Sequence, residues 1–344
     1  MKIAYCIDAE PDGFTKNANA WQKLAMFRGD PDGGVVDFSK GERPGADVRL
    51  QCYEVMSTFK LFRACVRRVL CPGLKYALLL WDPPGIFRQD GKDVRSVVQR
   101  KVMDWMLEFA GRGAETIVWN LHPGFAQSRY SDKVIGKSRF FPNGALIDYN
   151  HKIAAGVRHV PKRIAVSSAF KPNKGCWEIA ELFIRLWKSD PEVSLVWVGV
   201  QGIHDQVMAK FREAGIPDEN VISPGCVPLE ESLRLLASAD IAFNFYRDLQ
   251  SLRWNYVLKA PEFLSLGLPM VSPDLPGAHE YVKEGETGLF FKPEDMEGAY
   301  RQIRQLLYDS PLISRMRQNC LARCGQYDWR TINASIMEAL RRCA

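Results

Sequence analysis

The sequence predicts an α/β protein built from two doubly wound, Rossmann-like domains, and three observations point to it. Short apolar runs alternate with amphipathic helical stretches, which is typical of parallel sheets covered by helices on both faces. The chain has 344 residues, which is too many for a single hydrophobic core of ordinary size. A basic segment at 151–163 separates two sets of strand-like runs. We therefore expect a first domain at 1–155 and a second domain that begins at 156.

The clear strands of the first domain are predicted at 2–7, 76–81 and 115–120. A helix is predicted at 98–111, because apolar side chains recur there at the spacing of one helical face. The side chains expected to face the core, with the charged ones facing solvent, are Val98, Val102, Trp105, Met106 and Phe109. The patch at 30–34 is predicted as a turn, because Pro and Gly interrupt regular elements.

A basic amphipathic helix is predicted at 57–70, and two interpretations of it remain open. Its apolar face is formed by Phe59, Phe62, Val66 and Val69, with Arg63, Arg67 and Arg68 nearby. Such a helix can dock on an anionic membrane. The strand that begins soon afterwards at Tyr76 favours instead a core-packed helix with solvated arginines.

Strands of the second domain are predicted at 163–167, 195–199, 220–223, 240–245 and 269–272. In open α/β sheets, ligands bind beyond the carboxyl ends of the strands. The loops that this rule selects follow Ser168, Gly199, Ile222 and Phe245 in the second domain, and Ile7, Trp81 and Asn120 in the first. A cleft between the domains would bring the two sets of loops face to face.

The segment around Lys259 and Glu262 predicts the start of a short helix that Gly267 and Pro269 end. Pro261 suits the first helical position, where its missing N–H costs nothing. Backbone amides at a helix start attract anions, and a nucleoside diphosphate would fit there. The Glu262 carboxylate offers acceptors to a ribose diol, and Lys259 lies on the same side. The alternative is a helix start stabilised by its own dipole.

Composition narrows the class of protein. The net charge of +6 favours anionic partners such as sugar nucleotides, lipid headgroups or nucleic acid. The nine cysteines lack paired spacing, and no histidine completes a zinc site near Cys320 and Cys324, so we expect reduced thiols and no metal. The sequence opens on a strand and shows no signal peptide or long apolar run, which predicts a cytoplasmic location.

The stretch 258–274 resembles the donor-binding segment of retaining GT-B glycosyltransferases of family 4, within the glycosyl transferases group 1. Members carry a pattern like K-x-x-E-[YF]-L-x-x-G-x-P-[VM]-[VI]-[SA], and every element of it is present here. The resemblance covers about residues 162–335. Further segments that match in the family's order are Lys174-Gly175, Leu195–Gly199, Ala239–Asn244, Gly277–Val282 and Gly285–Phe291.

This resemblance implies a GT-B fold, two Rossmann-like domains facing a central cleft, with the acceptor side first at 1–155 and the nucleotide-sugar side second at 156–325. It also implies a C-terminal helix within 326–344 that crosses back to the first domain. It implies transfer of a sugar from a nucleoside-diphosphate sugar to a hydroxyl with retained configuration, with no catalytic metal and no other cofactor. Lys174, with the amides beyond Pro261, would stabilise the departing diphosphate. Glu262 would hold the ribose, and His122 would face the transferred sugar. The alternative for His122 is a histidine that caps a strand-to-loop turn.

The same resemblance assigns residues to each side of the site. The donor side would be lined by Ser168, Lys171, Lys174, Gly199, Val227, Arg247, Arg253, Lys259 and Glu262. The acceptor side would contain Gly13 and Asp82, the latter in a D-P-P-G turn, for which a purely structural proline-rich turn is the alternative. His279 is a further, weaker candidate near the diphosphate segment.

Two positions depart from the family pattern. Ala169 stands where the family has an arginine that contacts the donor phosphates, and Lys171, Arg247 or Arg253 are candidates to replace it. The alternative for each of these three is an ordinary surface cation. Trp254 stands where the family pattern has the first glutamate of an E-x7-E pair, a glutamate that many members lack. An indole stacks on a sugar face and donates one N–H, but it accepts no hydrogen bond.

The expected acceptor is a glycan or a lipid-linked saccharide, with peripheral contact to an anionic membrane as one option. Two other functions remain open. One is a transferase that acts on modified bases in DNA, where the positive charge of the protein would lie along the phosphates of the duplex. The other is a sugar-nucleotide-binding protein with little activity, which the changes at Ala169 and Trp254 suggest.

Overall fold

A computed structural model of the protein describes residues 2–7, 26–55, 58–81, 90–199 and 202–344. The chain folds into two compact units. Unit 1 contains Met1–Pro142, Trp254–Tyr256 and Trp329–Ala344, and unit 2 contains Asn143–Arg253 and Val257–Asp328. Neither unit is therefore a single continuous stretch of chain.

Unit 1 is built on a parallel sheet of six strands. The strands are β1 (Ile3–Ile7), β2 (Gly33–Asp37), β3 (Leu50–Glu54), β4 (Tyr76–Leu80), β5 (Thr116–Trp119) and β6 (Ser138–Phe140). Their order across the sheet is β2-β1-β3-β4-β5-β6, and every neighbouring pair is parallel. Strands β1, β4 and β5 are buried along their whole length, which is why they read as continuous apolar runs.

The three strands predicted in this half are confirmed as β1, β4 and β5, whereas β2, β3 and β6 were missed. The predicted turn at 30–34 is wrong in its second half. The Gly33 amide donates to the Asp30 carbonyl oxygen at 3.0 Å, which closes the turn, and strand β2 begins at Gly33 itself.

The helices of unit 1 before the crossing into unit 2 are α1 (Thr58–Leu70), α2 (Val94–Gly113), α3 (Pro123–Gln127) and α4 (Asp132–Ile135). Asp93 caps the start of helix α2, where its carboxylate accepts the Ser96 amide at 2.9 Å. This side-chain cap satisfies one of the amides left open at a helix start.

Most of the apolar side chains predicted to face the core on α1 and α2 are exposed, although α1 does pack on the core of unit 1 through other residues. Phe59 is 66% exposed and Phe62 56% exposed, while α1 buries Leu61 and Ala64 instead. In α2, Trp105 is 65% exposed, although Met106 is buried as predicted. The exposed valines of α2 are Val94, Val98 and Val102. The side of α2 that packs on the sheet carries Met103, Met106, Leu107, Ala110 and Gly111.

Unit 2 contains a second parallel sheet of six strands. They are β7 (Arg163–Ser167), β8 (Ser194–Val198), β9 (Val221–Gly225), β10 (Ile241–Phe243), β11 (Met270–Pro273) and β12 (Gly288–Phe291). Their order is β12-β11-β10-β7-β8-β9. The five predicted strands are confirmed as β7 to β11, and β12 was missed.

The helices of unit 2 cover this sheet around a continuous apolar core. They are α5 (Ile147–Ala154), α6 (Cys176–Ser189), α7 (His204–Glu213), α8 (Leu229–Ala237), α9 (Gln250–Arg253), α10 (Ala260–Ser265), α11 (Met296–Tyr308) and α12 (Ser310–Arg323). A last helix, α13 (Trp329–Arg341), belongs to unit 1.

The change from unit 1 to unit 2 falls between Pro142 and Asn143, whereas the sequence placed the domain boundary at 155/156. Helix α5 accounts for the difference, because it packs on α8 and α10 of unit 2. Its Asn150 amide donates to the Ser265 hydroxyl at 2.8 Å inside the core.

Within the described ranges, no helix is long and apolar enough to cross a membrane.

Candidate functional site

The order of strands in unit 2 reverses between β7 and β10, which lie side by side. From β7 the chain winds outward through β8 and β9 on one side, and from β10 it winds outward through β11 and β12 on the other. The crevice at such a reversal, outside the carboxyl ends of the strands, is the usual ligand site of an open α/β sheet. The loops after β7 and β10 therefore form the centre of the candidate site.

Ser168 and Gly199 lie against each other at the ends of β7 and β8. The Ser168 carbonyl oxygen accepts the Trp197 indole N–H at 3.0 Å. A Cβ atom added at Gly199 would overlap that same Ser168 carbonyl, so only glycine allows the two backbones to come this close. The structure thus brings together two of the predicted donor residues.

Lys174 lies in the loop after β7, in the 3₁₀ turn Pro172–Lys174. Its ammonium is 4.7 Å from the centre of the Tyr246 ring, which follows β10. This cation–π contact spans the strand reversal and places a positive charge at the crevice. Burial raises the pKa of Tyr246 to about 12, so the phenol stays neutral at physiological pH.

Lys259 and Glu262 form an ion pair at the start of helix α10. The Lys259 Nζ atom is 3.1 Å from both carboxylate oxygens of Glu262. The helix ends as predicted at Gly267, whose φ is +67°. Only 16% of the Glu262 side chain is exposed, so the pair is held close to the backbone of α10.

The three cations considered as replacements for the missing arginine differ in their partners. Arg247 is ion-paired with Glu178 in the first turn of α6. Arg253 forms a two-bond pair with Asp248, at 2.8 Å and 2.5 Å. Lys171, which is exposed, has no ion pair within the part of the chain that the structure describes.

Three further positions lie in connections that follow strands, and they are Val227, Ala169 and His279. Val227 is half-buried in the short connection between β9 and α8. Ala169 follows Ser168 directly, and its carbonyl oxygen accepts the Lys171 amide at 2.8 Å. His279 lies after β11, 2.5 Å from an Asp274 carboxylate oxygen and stacked on Phe290.

His122 belongs to unit 1, at the carboxyl end of β5, where it caps helix α3. Its Nδ1 accepts the Gly124 amide at 3.2 Å, and its own amide donates to the Trp254 carbonyl oxygen at 3.0 Å. The neutral ring then carries its proton on Nε2. The capping role considered as an alternative for His122 is therefore present.

Trp254 stacks on His122, with ring centres 5.6 Å apart and an angle of 27° between the planes. A Cβ atom at Gly124 would overlap the Trp254 ring. The residue at the position of the missing glutamate is thus packed over His122 within unit 1.

Sequence reasoning missed several residues of the site. Tyr246 and Glu178 were not predicted, although Tyr246 follows the strand end at which a ligand loop was expected. Buried Asn244 donates to the Ser272 hydroxyl at 3.0 Å and ties the ends of β10 and β11. Gly13 and Asp82, predicted for the acceptor side, lie outside the described residues. No group of three or more His, Cys, Asp or Glu side chains suited to a metal ion occurs in the described ranges.

Comparison with protein families and with curated proteins identifies related sequences. A profile of the family described as glycosyl transferases group 1 matches residues 150–322. The sulfoquinovosyl transferase SQD2 of Arabidopsis thaliana is 26% identical over 191 residues, which are 49% of this chain and 37% of that protein. The chain therefore spans little more than a third of the length of that curated relative.

Comparison with solved structures supports the fold. Anabaena Alr3699/HepE in complex with UDP matches with a TM-score of 0.73 and 16% identity over 99% of this chain and 100% of that chain. Sucrose-phosphate synthase from Thermosynechococcus elongatus matches with a TM-score of 0.73 and 14% identity over 99% of both chains. The two parallel six-stranded sheets with flanking helices are the GT-B fold, as the sequence resemblance implied.

Proposed function

The chain belongs to the glycosyl transferases group 1 family, and on this basis we propose that it moves a sugar from a nucleoside-diphosphate sugar to an acceptor hydroxyl. The observation that carries the proposal is the strand reversal of unit 2, where Lys174 and Tyr246 meet across β7 and β10. A fixed cation beside loop amides suits a diphosphate leaving group.

Each donor-side group has a distinct role in this proposal. Lys174 neutralises the diphosphate, and the close backbone approach of Ser168 and Gly199 keeps any side chain of residue 199 away from this sheet edge. Glu262 accepts hydrogen bonds from the ribose diol, and Lys259 holds that carboxylate in place through two 3.1 Å contacts. Backbone groups around Val227 contact the base.

Lys171 is the cation that best replaces the missing arginine next to Ala169. Arg247 and Arg253 already neutralise Glu178 and Asp248, so a phosphate would have to compete for them. Lys171 has no such partner among the described residues. A lysine binds phosphate as a point charge and lacks the two-pronged geometry of a guanidinium.

We propose the retaining, metal-independent chemistry of family 4 for the transfer. The bond from the sugar to the diphosphate breaks, the acceptor hydroxyl attacks on the same face, and its proton passes to the departing phosphate oxygen. The protein contributes mainly charge stabilisation of the leaving group. His122, with its proton on Nε2, donates a hydrogen bond to a hydroxyl of the transferred sugar.

A uridine diphosphate sugar is the first donor to test, because the structural neighbour from Anabaena is described in complexes with UDP and with UDP-glucose. The proposed acceptor is a saccharide or a lipid-linked saccharide. Which of these acceptors is used depends on the residues of unit 1.

The test is a thermal-shift panel with UDP, GDP, ADP, CMP and dTDP sugars. The wild-type protein should show a concentration-dependent rise in Tm with one nucleotide family, because a ligand that binds only the folded state stabilises it. Glu262→Ala and Lys174→Ala should abolish the rise. The matched surface variants Glu219→Ala and Lys188→Ala should retain it.

A donor-dependent rise in the two surface variants but not in the two site variants places the donor at the strand reversal. An equal rise in all four variants would contradict the assigned site, and no rise with any sugar nucleotide would contradict the proposed function. Binding without transfer and without slow donor hydrolysis would instead identify a sugar-nucleotide-binding protein.

A further inference from the structure

Unit 1 exposes a broad apolar surface on two of its helices. Eight large apolar side chains there are between 47% and 80% exposed. They are Phe59, Phe62, Val69 and Leu70 of α1, and Val94, Val98, Val102 and Trp105 of α2. We call these eight residues the α1/α2 face. Contiguous exposed apolar surface of this kind usually marks an interaction site.

The two helices lie next to each other on one side of the sheet. Helix α1 connects β3 to β4, and α2 connects β4 to β5, so both crossovers run in the same direction across the sheet. Right-handed crossovers in one direction place their helices on the same side. The Cys65 thiol donates to the Met106 carbonyl oxygen at 3.3 Å, and the Arg68 guanidinium is 4.2 Å from the centre of the Phe109 ring.

On each helix the exposed apolar residues form one stripe opposite the buried side. In α1, the stripe from Phe59 to Leu70 faces away from buried Leu61 and Ala64. In α2, the spacing of the exposed residues follows the turns of the helix and leaves Met103 and Leu107 on the sheet side. The α1/α2 face is therefore a true outer surface of unit 1.

The positive charge of the chain is concentrated on the same two helices. Helix α1 carries four basic side chains and no acidic one, and α2 carries four basic and two acidic side chains. Together they contribute +6, which equals the net charge of the whole chain, so the rest of the molecule is balanced. One of these cations adjoins the apolar stripe directly, since the Arg63 guanidinium is 5.9 Å from the centre of the Phe59 ring.

We infer that the α1/α2 face docks unit 1 on the surface of an anionic lipid bilayer. The apolar stripes enter the boundary between headgroups and acyl chains, with the indole of Trp105 at the headgroup level. The basic side chains meet anionic headgroups. A second copy of this chain is a poorer occupant, because two like-charged faces would oppose each other, and nucleic acid offers no apolar surface to the valines of α2.

Vesicle flotation without any sugar nucleotide tests this inference independently of the proposed transferase function. The vesicles are phosphatidylcholine alone, or equal parts phosphatidylcholine and phosphatidylglycerol. The protein should float with the mixed vesicles, bind phosphatidylcholine alone at least about tenfold more weakly, and lose binding as salt is added.

Three variants sharpen the test. The double variant Phe59→Ser/Phe62→Ser should lower partitioning into mixed vesicles by at least about tenfold, because two large apolar side chains no longer enter the lipid. Leu321→Ser, at an apolar side chain 46% exposed on α12, should not change it. Trp105→Phe should still bind, but should lose a share of the fluorescence quenching that brominated lipids cause in the wild type.

The thermal unfolding of all variants should match the wild type, because the substituted side chains are exposed. Equal flotation of Phe59→Ser/Phe62→Ser and wild type would overturn the inference. So would binding to duplex DNA without binding to vesicles, or a dimer by light scattering that the same double variant dissociates in the absence of lipid.

Discussion

The contact between Trp254 and Gly124 shows how a single missing side chain shapes the environment of His122. The indole lies where a Cβ atom of residue 124 would otherwise be, and the same indole stacks on the imidazole. The Gly124 amide in turn donates to the His122 Nδ1 atom. These three residues therefore form one packed group, and a substitution at any of them changes the contacts of the other two.

We expect Gly124→Ala to lower the free energy of unfolding by about 1–3 kcal/mol, because the added methyl displaces the Trp254 ring. In a Trp254→Ala background the same substitution should cost much less, since the overlapping ring is gone. Denaturant unfolding of the four proteins measures this coupling. Gly73→Ala is the control, because a Cβ atom there meets nothing within 4 Å. Equal costs in both backgrounds would show that the ring and the glycine are not coupled.

At the residue scale, the sequence predicted contacts between residues that are close in the chain and missed contacts between residues that are far apart in it. Lys259 and Glu262 are one helical turn apart, so their spacing alone predicts that they meet. His122 and Trp254 are far apart in the chain, and only the folded unit brings them together. Tyr246 is similar, because its contact with Lys174 depends on β7 and β10 being neighbours.

Among the elements, the ends of α6 and α11 are joined to the start of β7 by one cluster of charges. Lys162, a non-glycine residue with φ of +57°, directly precedes β7. Its ammonium is 2.7 Å from the Asp190 carboxylate and 2.6 Å from that of Glu192. The Tyr308 hydroxyl donates to Asp190 at 2.5 Å. The hydrogen bond from Lys162, followed by that from Tyr308, lowers the pKa of Asp190 to about 2.

This depressed pKa predicts a pH-dependent contribution to stability. A carboxylate whose pKa is lower in the folded state stabilises the fold above its unfolded pKa of about 3.9 and loses that effect as the pH falls through its folded value. Asp190→Asn should therefore cost about 1 kcal/mol at neutral pH after solvent screening. The difference from wild type should shrink between about pH 4 and pH 2.

Urea unfolding of wild type and Asp190→Asn across this pH range measures the effect. Asp218→Asn, an exposed aspartate near β9, serves as the control and should show no such trend. A difference that stays constant down to the lowest pH would mean that the Asp190 carboxylate is not responsible.

Helix α2 shows the limit of prediction at the scale of elements. Apolar periodicity correctly predicted the helix, but of the side chains expected to face the core Met106 is buried while Val98, Val102 and Trp105 are exposed. The pattern does not say which surface the stripe meets, because a sheet and a lipid interface favour the same apolar residues. The sheet is instead covered by a second set of apolar and small residues, including Met103 and Ala110.

For the molecule as a whole, the alternation of strands and helices was enough to predict two parallel α/β sheets. The order of strands was not predictable in the same way, because pairing between strands depends on contacts that are distant in sequence. Short or partly exposed strands such as β2 and β6 were missed because they carry little apolar signal. The strands that were predicted in unit 1 are the fully buried ones.

The distribution of thiols provides a test of the whole fold. All nine cysteines are free, and only Cys71 and Cys226 are exposed. Burial raises the pKa of the Cys320 thiol to about 12 and also raises that of the Cys52 thiol well above its usual value. Because the thiolate is the reactive form, we expect two fast-reacting thiols with a disulfide reagent in the native protein and nine after denaturation.

Cys71→Ser and Cys226→Ser should each remove one fast-reacting thiol, whereas Cys320→Ser should leave the fast phase unchanged. Rapid labelling of all nine thiols in the native protein would contradict the burial of the five in the core.

The three residues Trp254–Tyr256 have a consequence for any attempt to dissect the protein. They are encoded inside the stretch that forms unit 2, yet they pack in unit 1. A gene fragment that begins at Asn143 and stops at Asp328 would carry Trp254 away from His122 and Gly124, leaving a large aromatic ring without its partners. The complementary fragments would keep the imidazole but lose the ring that covers it. No single cut, and no simple exchange of halves between related genes, can separate the two units without breaking this contact.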